Sequence, residues 1–374
     1  MIPLAQPDIT AAEIDAVVTT LKSNQLSLGP ELSRFETAMA EYVGVKHCIA
    51  VNSGTSGLHL IIRALEIGAG DEVITTPFSF IASSNCLLFE GAKPVFVDVL
   101  GQNGNIDVDQ IEAKITARTK AILAVDVFGY PAEWDQLEAL ARKHNLFLIE
   151  DSAEALGSEF RGRKCGSFGH AAIFGFYPNK QITTGEGGVV LTNDTYLANI
   201  IRSMSNQGRG YFDQKWLLHE RLGYNYRLSE INCALGRVQL NRLEEIKQKR
   251  LAVTNYYINK LQTLSGVQPF PQNQLSDNSV NPFLFVVQVN DEYAGERRAA
   301  VINGMADFGI QCGYYFYPIH QQPYYKTLFS HAPEDFPIAH QLGRTTIALP
   351  FYNNLSDTKI DYIVSALNYC LAKN

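Results

Sequence analysis

Three short stretches of this 374-residue sequence carry residue types that could act together in chemistry. The first is SGTSGL, in which Gly54 and Thr55 follow an apolar run and lead directly into a helical pattern. Free amides and the helix dipole at such an N-terminus suit a phosphate group. Because Ser-Gly-Thr also makes an ordinary helix cap, this stretch alone leaves both interpretations open.

The other two stretches contribute a carboxylate and a primary amine. Asp151 follows the apolar run LFLIE, where an ionised carboxylate is costly unless it meets a cation or several hydrogen-bond donors. Lys180 lies in FGFYPNKQITTGEGG, a loop of aromatics, threonines and glycines with little room for a solvated stem. A desolvated lysine amine can attack a carbonyl carbon. Taken singly, Asp151 could cap the next segment, and Lys180 could be an ordinary surface charge.

The order and placement of these stretches favour one cofactor. A phosphate-binding turn, a strand-end carboxylate and a loop lysine at one edge of a parallel sheet are the parts that hold pyridoxal phosphate (PLP). The turn would take the phosphate, Lys180 would form a Schiff base, and Asp151 would keep the pyridine nitrogen protonated. An opposite charge within reach raises the pKa of that nitrogen by roughly 1 to 3 units, so the ring remains an electron sink near neutrality.

Alternating strand and helix patterns up to about residue 194 supply the sheet that these residues need. Apolar or β-branched runs predict strands at 47–53, 72–77, 93–99, 119–128, 146–153, 171–177 and 188–194. Helical patterns lie between several of them, at 55–67, 80–90, 107–118 and 132–144. This alternation predicts a mostly parallel sheet covered on both faces. A hairpin or an antiparallel member is expected where the last two strands follow each other without a helix.

Two helices are predicted before this sheet. TAAE has the capping-box spacing, since Thr10 and Glu13 can satisfy each other's amides, and the first helix should run to about Ser23. A second amphipathic helix covers 31–43, and Gly44 can end it in the left-handed conformation.

The C-terminal part follows a different pattern. A long helical region covers 228–264, and its charged portion LEEIKQKR is predicted to be a solvated face. A loop rich in Pro, Asn, Gln and Ser at 269–283 then leads into an apolar strand at 283–289. We therefore predict a large cofactor-binding domain at 1–248, including the N-terminal helices, and a smaller α+β domain at 249–374.

Composition and charge disfavour several other classes of function. The formal net charge is -7 and the acidic and basic residues are interspersed, so neither nucleic acid nor an anionic membrane surface is an expected partner. The N-terminus lacks the features of an export signal, and no apolar run approaches the length of a membrane span, so a cytoplasmic location is expected. The six cysteines are far apart with no CxxC pair, which predicts buried thiols and no metal site.

Several stretches together resemble the DegT/DnrJ/EryC1/StrS family of PLP-dependent sugar aminotransferases. They occur in the family's order over nearly the whole chain: LSLGPELSRFE, VNSGTSGLHL, DEVITTPFSFIASSN, GAKPVFVDV, LIEDSAEALGS, FYPNKQITTGEGG, LGYNYRLSEINCALGRVQL and IALPFY. The segment from Asp151 to TTGEGG is the most specific of them. The resemblance implies the α/β architecture of fold type I aminotransferases, with a mostly parallel seven-stranded sheet between helices and a smaller α+β C-terminal domain.

The resemblance also implies a role for each matching residue. Lys180 corresponds to the lysine that forms the Schiff base, Asp151 to the partner of the pyridine nitrogen, and Gly54 with Thr55 to the phosphate turn. Phe80, in TPFSF, takes the place of an aromatic that stacks on the cofactor ring, with a plain core aromatic as the alternative.

Three further positions matter for the expected site. Asn225, in GYNYR, matches an asparagine that reaches the cofactor phosphate of the neighbouring subunit, which implies a homodimer with composite active sites. Glu154 stands where many members carry Gln or His near the cofactor's 3'-hydroxyl. Gly175 departs from the family pattern, because a serine hydroxyl that contacts the phosphate is missing there and another group must supply this contact.

The expected activity is a ping-pong transamination. The resemblance implies glutamate as the donor, giving 2-oxoglutarate, and a nucleotide-linked keto sugar as the acceptor. Five residues are candidates for binding the sugar or diphosphate: Arg209, Arg227, Tyr315, Tyr317 and His320. Packing or an ordinary surface charge would explain each of them equally well.

Three other functions compete with this one. A keto-inositol aminotransferase would use the same site on a different acceptor. A regulator that binds the cofactor or a nucleotide sugar without catalysis is disfavoured, because Lys180 and Asp151 are both intact. A plain Rossmann nucleotide-binding protein is disfavoured because no GxGxxG follows the first strand.

Overall fold

The N-terminal helices form as the sequence predicts. The computed structural model describes residues 1–210, 218–271 and 278–373. It begins with α1 (Ala11–Lys22) and α2 (Pro30–Val43). The predicted capping box opens α1, with the Thr10 amide donating to Glu13 Oε2 at 2.8 Å. Gly44 ends α2 with a φ of 85°, in the left-handed region, which confirms its predicted role.

The described residues contain three β-sheets. In chain order, the strands are β1 (His47–Val51), β2 (Glu72–Thr75), β3 (Lys93–Phe96), β4 (Thr119–Val125), β5 (Phe147–Asp151), β6 (Glu159–Phe160), β7 (Arg163–Lys164), β8 (Ala171–Gly175), β9 (Gly188–Thr192), β10 (Val267–Phe270), β11 (Asn278–Ser279), β12 (Phe285–Val289) and β13 (Thr346–Leu349). The main sheet has seven strands in the order β1-β9-β8-β5-β4-β2-β3. The two smaller sheets have the orders β10-β12-β13 and β11-β6-β7.

The main sheet is mostly parallel, as the alternating pattern predicts. β2 pairs in parallel with β3 and β4, β4 with β5, and β5 with β8. β8 and β9 form the predicted antiparallel pair, and β1 pairs antiparallel with the other edge of β9. The parallel strands β4, β5 and β8 are therefore adjacent, and their carboxyl ends meet at one edge of the sheet.

Helices cover both faces of the main sheet. In chain order, they continue with α3 (Gly54–Ala64), α4 (Ala82–Leu88), α5 (Trp134–His144), α6 (Thr195–Ser205), α7 (Glu230–Asn241), α8 (Leu243–Leu261), α9 (Glu296–Asp307), α10 (Pro323–Phe329), α11 (Pro337–Thr345) and α12 (Asp357–Lys373). Successive side chains of a strand point to opposite faces. Ile173 of β8 accordingly lies in the core that contains α3, whereas Phe174 lies in the core that contains α2.

One predicted helix is wrong. Residues 107–118 form two short 3₁₀ turns, at 108–110 and 112–114, where the sequence pattern predicted a continuous helix. Asp107 Oδ1 accepts the Asp109 amide at 3.2 Å, and Thr116 Oγ1 accepts the Arg118 amide at 3.1 Å. Short polar side chains that bond neighbouring amides in this way compete with helical hydrogen bonding.

The long helical region at 228–264 is two helices, α7 and α8, that meet at Arg242. In the charged portion, Glu244, Glu245 and Gln248 are exposed, as predicted for a solvated face. Arg250 differs from that prediction, because its side chain is buried and bonds backbone carbonyls. The sequence patterns did not predict helix α6, which precedes these two helices in the chain.

The C-terminal part of the chain has its own sheet and core. β12 pairs antiparallel with β10 and β13, and α8, α9 and α12 surround a core that includes Val287, Met305 and Leu367. The predicted domain boundary at residue 249 falls within α8 and remains a prediction.

Two expectations about the chain as a whole concern thiols and membranes. The six cysteines, all within the described residues, form no disulfide, and five of them are buried, which confirms the predicted buried thiols except at the partly exposed Cys312. Within the described ranges, no helix is both long and apolar enough to span a membrane.

Candidate active site

A cavity of about 430 Å³ lies at the edge where the parallel strands end. Val125 of β4, Asp151 of β5 and Gly175 of β8 reach it from the sheet. The N-terminus of α3 and the loop after β8 also line it, while Phe283 and Tyr315 reach it from the C-terminal part of the chain. The cavity therefore gathers residues that are far apart in the sequence.

Asp151 reaches the cavity because it is the last residue of β5. Its neighbour Glu150 points to the opposite face, where it accepts the Phe168 amide at 2.8 Å and anchors the strand end. Asp151 Oδ2 accepts from Ser83 Oγ at 2.7 Å, and Oδ1 accepts from the Ala153 amide at 3.2 Å. Both donors are uncharged, so the carboxylate is free to meet a cationic group in the cavity.

Burial is the main influence on the Asp151 carboxyl. It raises the pKa of Asp151, while the bonds from Ser83 and the Ala153 amide, and the charge of Lys180, act in the other direction. A buried carboxylate of this kind strongly favours a nearby positive charge. A protonated ring nitrogen fits this position.

Lys180 projects into the cavity from the loop after β8, and its side chain is only 15% exposed. Its Nζ lies 3.4 Å from Glu154 Oε1 and 4.0 Å from the centroid of the Phe283 ring. The amine therefore lies between a carboxylate and an aromatic face, where a carbonyl compound bound in the cavity would meet it.

Glu154 lies next to this amine and is buried. Its Oε2 accepts the Phe128 amide at 2.9 Å. Burial raises the pKa of Glu154, opposed first by the charge of Lys180 and then by the Phe128 amide. This carboxyl group can accept or return a proton within reach of Lys180 Nζ.

The turn at Gly54 and Thr55 opens α3 at the side of the cavity. Ser53 caps the helix, with the Ser56 amide donating to Ser53 Oγ at 3.0 Å. The first amides of an α-helix have no intrahelical acceptor, so Gly54 and Thr55 can present theirs to a phosphate.

Glycines bring the β8–β9 hairpin against this turn. A Cβ on Gly188 would lie 2.6 Å from the Gly54 nitrogen, which is too close for any other residue. Gly175 lies on the same side, since a Cβ on Gly54 would be 3.4 Å from the Gly175 Cα. The glycines therefore allow the backbone approach that a phosphate cradle requires.

Phe80 also lines the cavity, and 61% of its surface is exposed. The alternative interpretation as a core aromatic does not fit this exposure. An open aromatic face at the cavity suits a flat ligand ring, because stacking would remove both apolar surfaces from water.

Not every predicted site residue reaches this cavity. Tyr315 does, and its hydroxyl accepts from Asn179 Nδ2 at 3.3 Å. Tyr317 is half exposed and lies outside the lining. His320 is fully buried and is not part of the cavity lining, and its ring lies 4.8 Å from that of Phe336.

Asn225, predicted to act in a neighbouring subunit, and the candidate substrate-binding residues Arg209 and Arg227 lie outside this cavity. Asn225 is exposed, between Tyr224 and Tyr226, whose rings stack 4.9 Å apart. Arg209 and Arg227 line a separate cavity of about 180 Å³, where Arg227 Nη1 donates to Asn206 Oδ1 at 2.8 Å. This chain alone therefore does not bring these three residues to Lys180.

Sequence reasoning missed two residues that shape the site. Ser83 holds Asp151, and its presence among the small residues of FSFIASSN was a signal that could have pointed to it. Phe283 follows a loop rich in Asn and Pro, and no local pattern links it to Lys180.

His320 carries a pH prediction for stability. Burial, with nearby His331 and His340, lowers the pKa of His320 to about 4. Between pH 6.5 and 4 the unfolded chain gains a proton here that the folded chain does not, so stability falls as the pH is lowered. The loss is on the order of 3 kcal/mol. We expect His320→Leu to flatten the pH dependence of the unfolding free energy in this window, measured by urea denaturation. The partly exposed His47, changed to Leu, is the control, and an unchanged slope in His320→Leu would contradict this prediction.

The fold is an α/β fold with a cavity at the ends of its parallel strands, and a lysine amine and a buried carboxylate both line that cavity. The chain belongs to the DegT/DnrJ/EryC1/StrS aminotransferase family, whose sequence model matches residues 7–368. It is therefore an aminotransferase, and the family resemblance seen in its sequence is confirmed.

Relatives match the chain over its whole length. GDP-perosamine synthase from Caulobacter vibrioides is 38% identical, over 99% of this chain and 98% of that protein. Among solved structures, Helicobacter pylori PseC, an aminotransferase involved in the biosynthesis of pseudoaminic acid, has a TM-score of 0.94 and 32% identity, with both chains fully covered. The PLP form of the putative sugar aminotransferase Spr1654 from Streptococcus pneumoniae has a TM-score of 0.93 and 28% identity, covering 100% and 99% of the two chains. The chain thus has the fold type I aminotransferase architecture that was expected.

Proposed function

We propose that this chain is a PLP-dependent sugar aminotransferase that moves an amino group from glutamate to a nucleotide-linked keto sugar, in amino-sugar biosynthesis. The observation that carries this proposal is the position of Lys180, whose amine enters a cavity bounded by the Asp151 carboxylate and the N-terminus of α3. The names of the relatives support the sugar substrate, and the PLP form of one of them supports the cofactor.

The residues present fit PLP. Gly54 and Thr55 would hold its phosphate, Asp151 its ring nitrogen, Phe80 one ring face, and Lys180 its aldehyde carbon. When bound, PLP supplies an electron sink for the charge that develops at the carbon losing or gaining the amino group.

Proton movement falls to groups of this chain. With the cofactor bound, Lys180 would hold it through its amine, and the same amine would carry the proton that the donor's α-carbon loses. Glu154 Oε1 lies 3.4 Å from Lys180 Nζ, so its carboxyl group can exchange a proton with this amine. The cavity walls at Phe176 and Phe283 are apolar, which keeps water from the reacting bonds.

The acceptor and donor can be identified with a substrate panel. Glutamate labelled with ¹⁵N is incubated with the PLP-loaded protein and with a set of nucleotide-linked 3- and 4-keto sugars and a keto-inositol, and products are read by mass spectrometry. A labelled amino sugar is the expected product, and a labelled aminoinositol alone would favour the alternative acceptor. Failure of the half-reaction with glutamate and with every other amino acid would favour a regulator.

We propose further that the active unit is a cytoplasmic homodimer whose sites combine both copies. Asn225 supports this proposal, because its side chain is exposed and does not line the cavity that holds Lys180 of the same chain. Lys180→Ala and Asn225→Ala chains, each of low activity, should regain up to about a quarter of wild-type activity when they are mixed after gentle dissociation. In a mixed dimer one of the two sites has both residues intact. Mixtures that stay inactive while mixed dimers form would contradict composite sites.

Gly175 allows a direct test of the phosphate site. A Cβ there would meet Ala153 Cβ at 3.7 Å, an ordinary contact, so a serine fits without strain. Gly175→Ser adds a hydroxyl beside the α3 turn, and a hydrogen bond to a charged group should tighten PLP binding by about tenfold. Equilibrium binding to the cofactor-free protein measures the effect. Gly175→Ala is the matched control, and equal affinities for the Ser and Ala variants would show that the hydroxyl does not reach the phosphate.

A further inference from the structure

The Phe283 ring forms a wall of the cavity directly against Lys180. The ring centroid lies 4.0 Å from Nζ, and the side chain is 2% exposed. An aromatic face attracts a cation and shields it from water. Where this ring lies therefore affects both the position of the amine and its access to small reagents.

The backbone of Phe283 is tied to the other group that contacts the amine. Its amide donates to the Phe128 carbonyl at 3.2 Å, and the Phe128 amide donates to Glu154 Oε2 at 2.9 Å. Phe128 achieves both bonds with a φ of 59°, which is uncommon for so large a residue. The ring and the carboxylate beside Lys180 are thus held by the same backbone position.

Arg250 of α8 holds this segment from the other side. Its Nε donates to the Pro282 carbonyl at 2.6 Å, its Nη2 donates to the Phe283 carbonyl, and its Nη1 donates to Asn353 Oδ1 at 3.0 Å. The side chain is 3% exposed, and its described partners include no carboxylate.

Burying the Arg250 guanidinium in this way costs desolvation free energy. Burial lowers the pKa of Arg250 to about 9, since no negative charge compensates the desolvation. A buried cation that bonds neutral acceptors contributes little to stability beyond an apolar side chain of the same shape. The planar guanidinium instead fixes the geometry of the Pro282 and Phe283 carbonyls, which lie on either side of the Phe283 Cα. A lysine cannot reproduce this pair of bonds.

We propose that Arg250 is a positioning residue of the active site, which holds the segment of Pro282 and Phe283 so that the Phe283 ring lies over the Lys180 amine. Its importance for amino transfer rests on the proposed function of Lys180. The contact itself does not, so it can be tested in the cofactor-free protein.

The test measures how fast Lys180 reacts with trinitrobenzenesulfonate in the cofactor-free full-length protein, with the modified peptide quantified by mass spectrometry. Phe283→Leu removes the ring face, and we expect labelling of Lys180 to become about two- to fivefold faster. Arg250→Met should also make the labelling of Lys180 faster, at most to the rate seen in Phe283→Leu. In the double variant the rate should equal that of Phe283→Leu alone, because both changes act through one ring.

The control is Lys260→Met, which removes a cation from the same helix at an exposed ion pair with Asp361 and should leave the labelling rate unchanged. A folded Arg250→Met protein with the wild-type labelling rate would overturn the proposal. The proposal would also be overturned if the increase in the double variant equalled the product of the increases in the two single variants. If Arg250→Met does not fold, Arg250→Lys is used in its place. A wild-type labelling rate in Arg250→Lys would likewise overturn the proposal.

A second measurement separates this proposal from the proposed function. In the PLP-loaded protein, Arg250→Met should lower kcat more than it changes the KM for glutamate, since the amine is displaced while the substrate contacts remain. If no amino transfer is found even in the unmodified protein, the proposed function fails, while the labelling rates still decide the role of Arg250.

Discussion

Replacing Lys180 by alanine is expected to stop amino transfer, lowering turnover by at least about 10⁴-fold. The amine of Lys180 is the covalent anchor that the proposed chemistry requires, and its neighbour Glu154 is a carboxylate that cannot form a Schiff base with an aldehyde. The variant should also lack the absorbance near the visible edge that marks lysine-bound PLP. Both effects are measured by steady-state assay with glutamate and by the spectrum of the PLP-loaded protein.

Lys326→Ala provides the matched control for this change. Lys326 is exposed on α10, away from the cavity, so its loss removes the same charge and leaves the site intact. Wild-type turnover in Lys180→Ala would show that the reaction does not pass through this amine, and the proposed mechanism would have to be abandoned.

The second large effect is expected at Asp151. Asn has nearly the same shape as Asp, so Asp151→Asn should fold, but it removes the negative charge that would hold a proton on the ring nitrogen. A loss of roughly 1 to 3 pKa units on that nitrogen predicts a decrease in kcat of about 10- to 1000-fold. Single-turnover kinetics with glutamate measure the affected half-reaction directly.

Ser83→Ala separates the charge of Asp151 from its placement. This variant removes the 2.7 Å bond to Oδ2 and keeps the carboxylate, so we expect less than about a tenfold loss. If Asp151→Asn were no slower than Ser83→Ala, the charge of Asp151 would have no role in the reaction.

Several elements could be predicted because their signals are local. The capping box at Thr10 and the left-handed Gly44 depend on residues within one helical turn, and both are present in the structure. The antiparallel β8–β9 pair was predicted because no helical pattern separates the two runs in the sequence. The helix predicted at 107–118 was wrong because Asp107 and Thr116 bond nearby amides, a competition that apolar spacing does not reveal.

The main features of the candidate site could be predicted for a topological reason. Parallel strands end at the same edge of a sheet, so residues that follow strand patterns are placed together even when they are distant in the chain. Asp151, Glu154, Lys180 and the turn at Gly54 do line one cavity. Their roles toward the cofactor remain predictions that the variants above can test.

The C-terminal contribution could not be predicted in the same way. Phe283 and Tyr315 reach the cavity only because the second part of the chain packs against the first, and no periodic pattern encodes that packing. Arg250 shows the same limit, since its charged neighbours indicated a solvated face and only the position of the Pro282 and Phe283 carbonyls explains its burial.

The sequence by itself determined the family, the order of strands and helices around the cofactor stretches, and the pairing of a carboxylate with a lysine at one sheet edge. These features depend on residue type and spacing along the chain. Only the tertiary structure decided which side chains contact the Lys180 amine, that His320 is buried outside the cavity lining, and that Asn225 does not line the cavity of its own chain. The contact of Phe283 with Lys180 joins residues about a hundred positions apart, and its geometry depends on how two cores pack together, which local patterns do not specify.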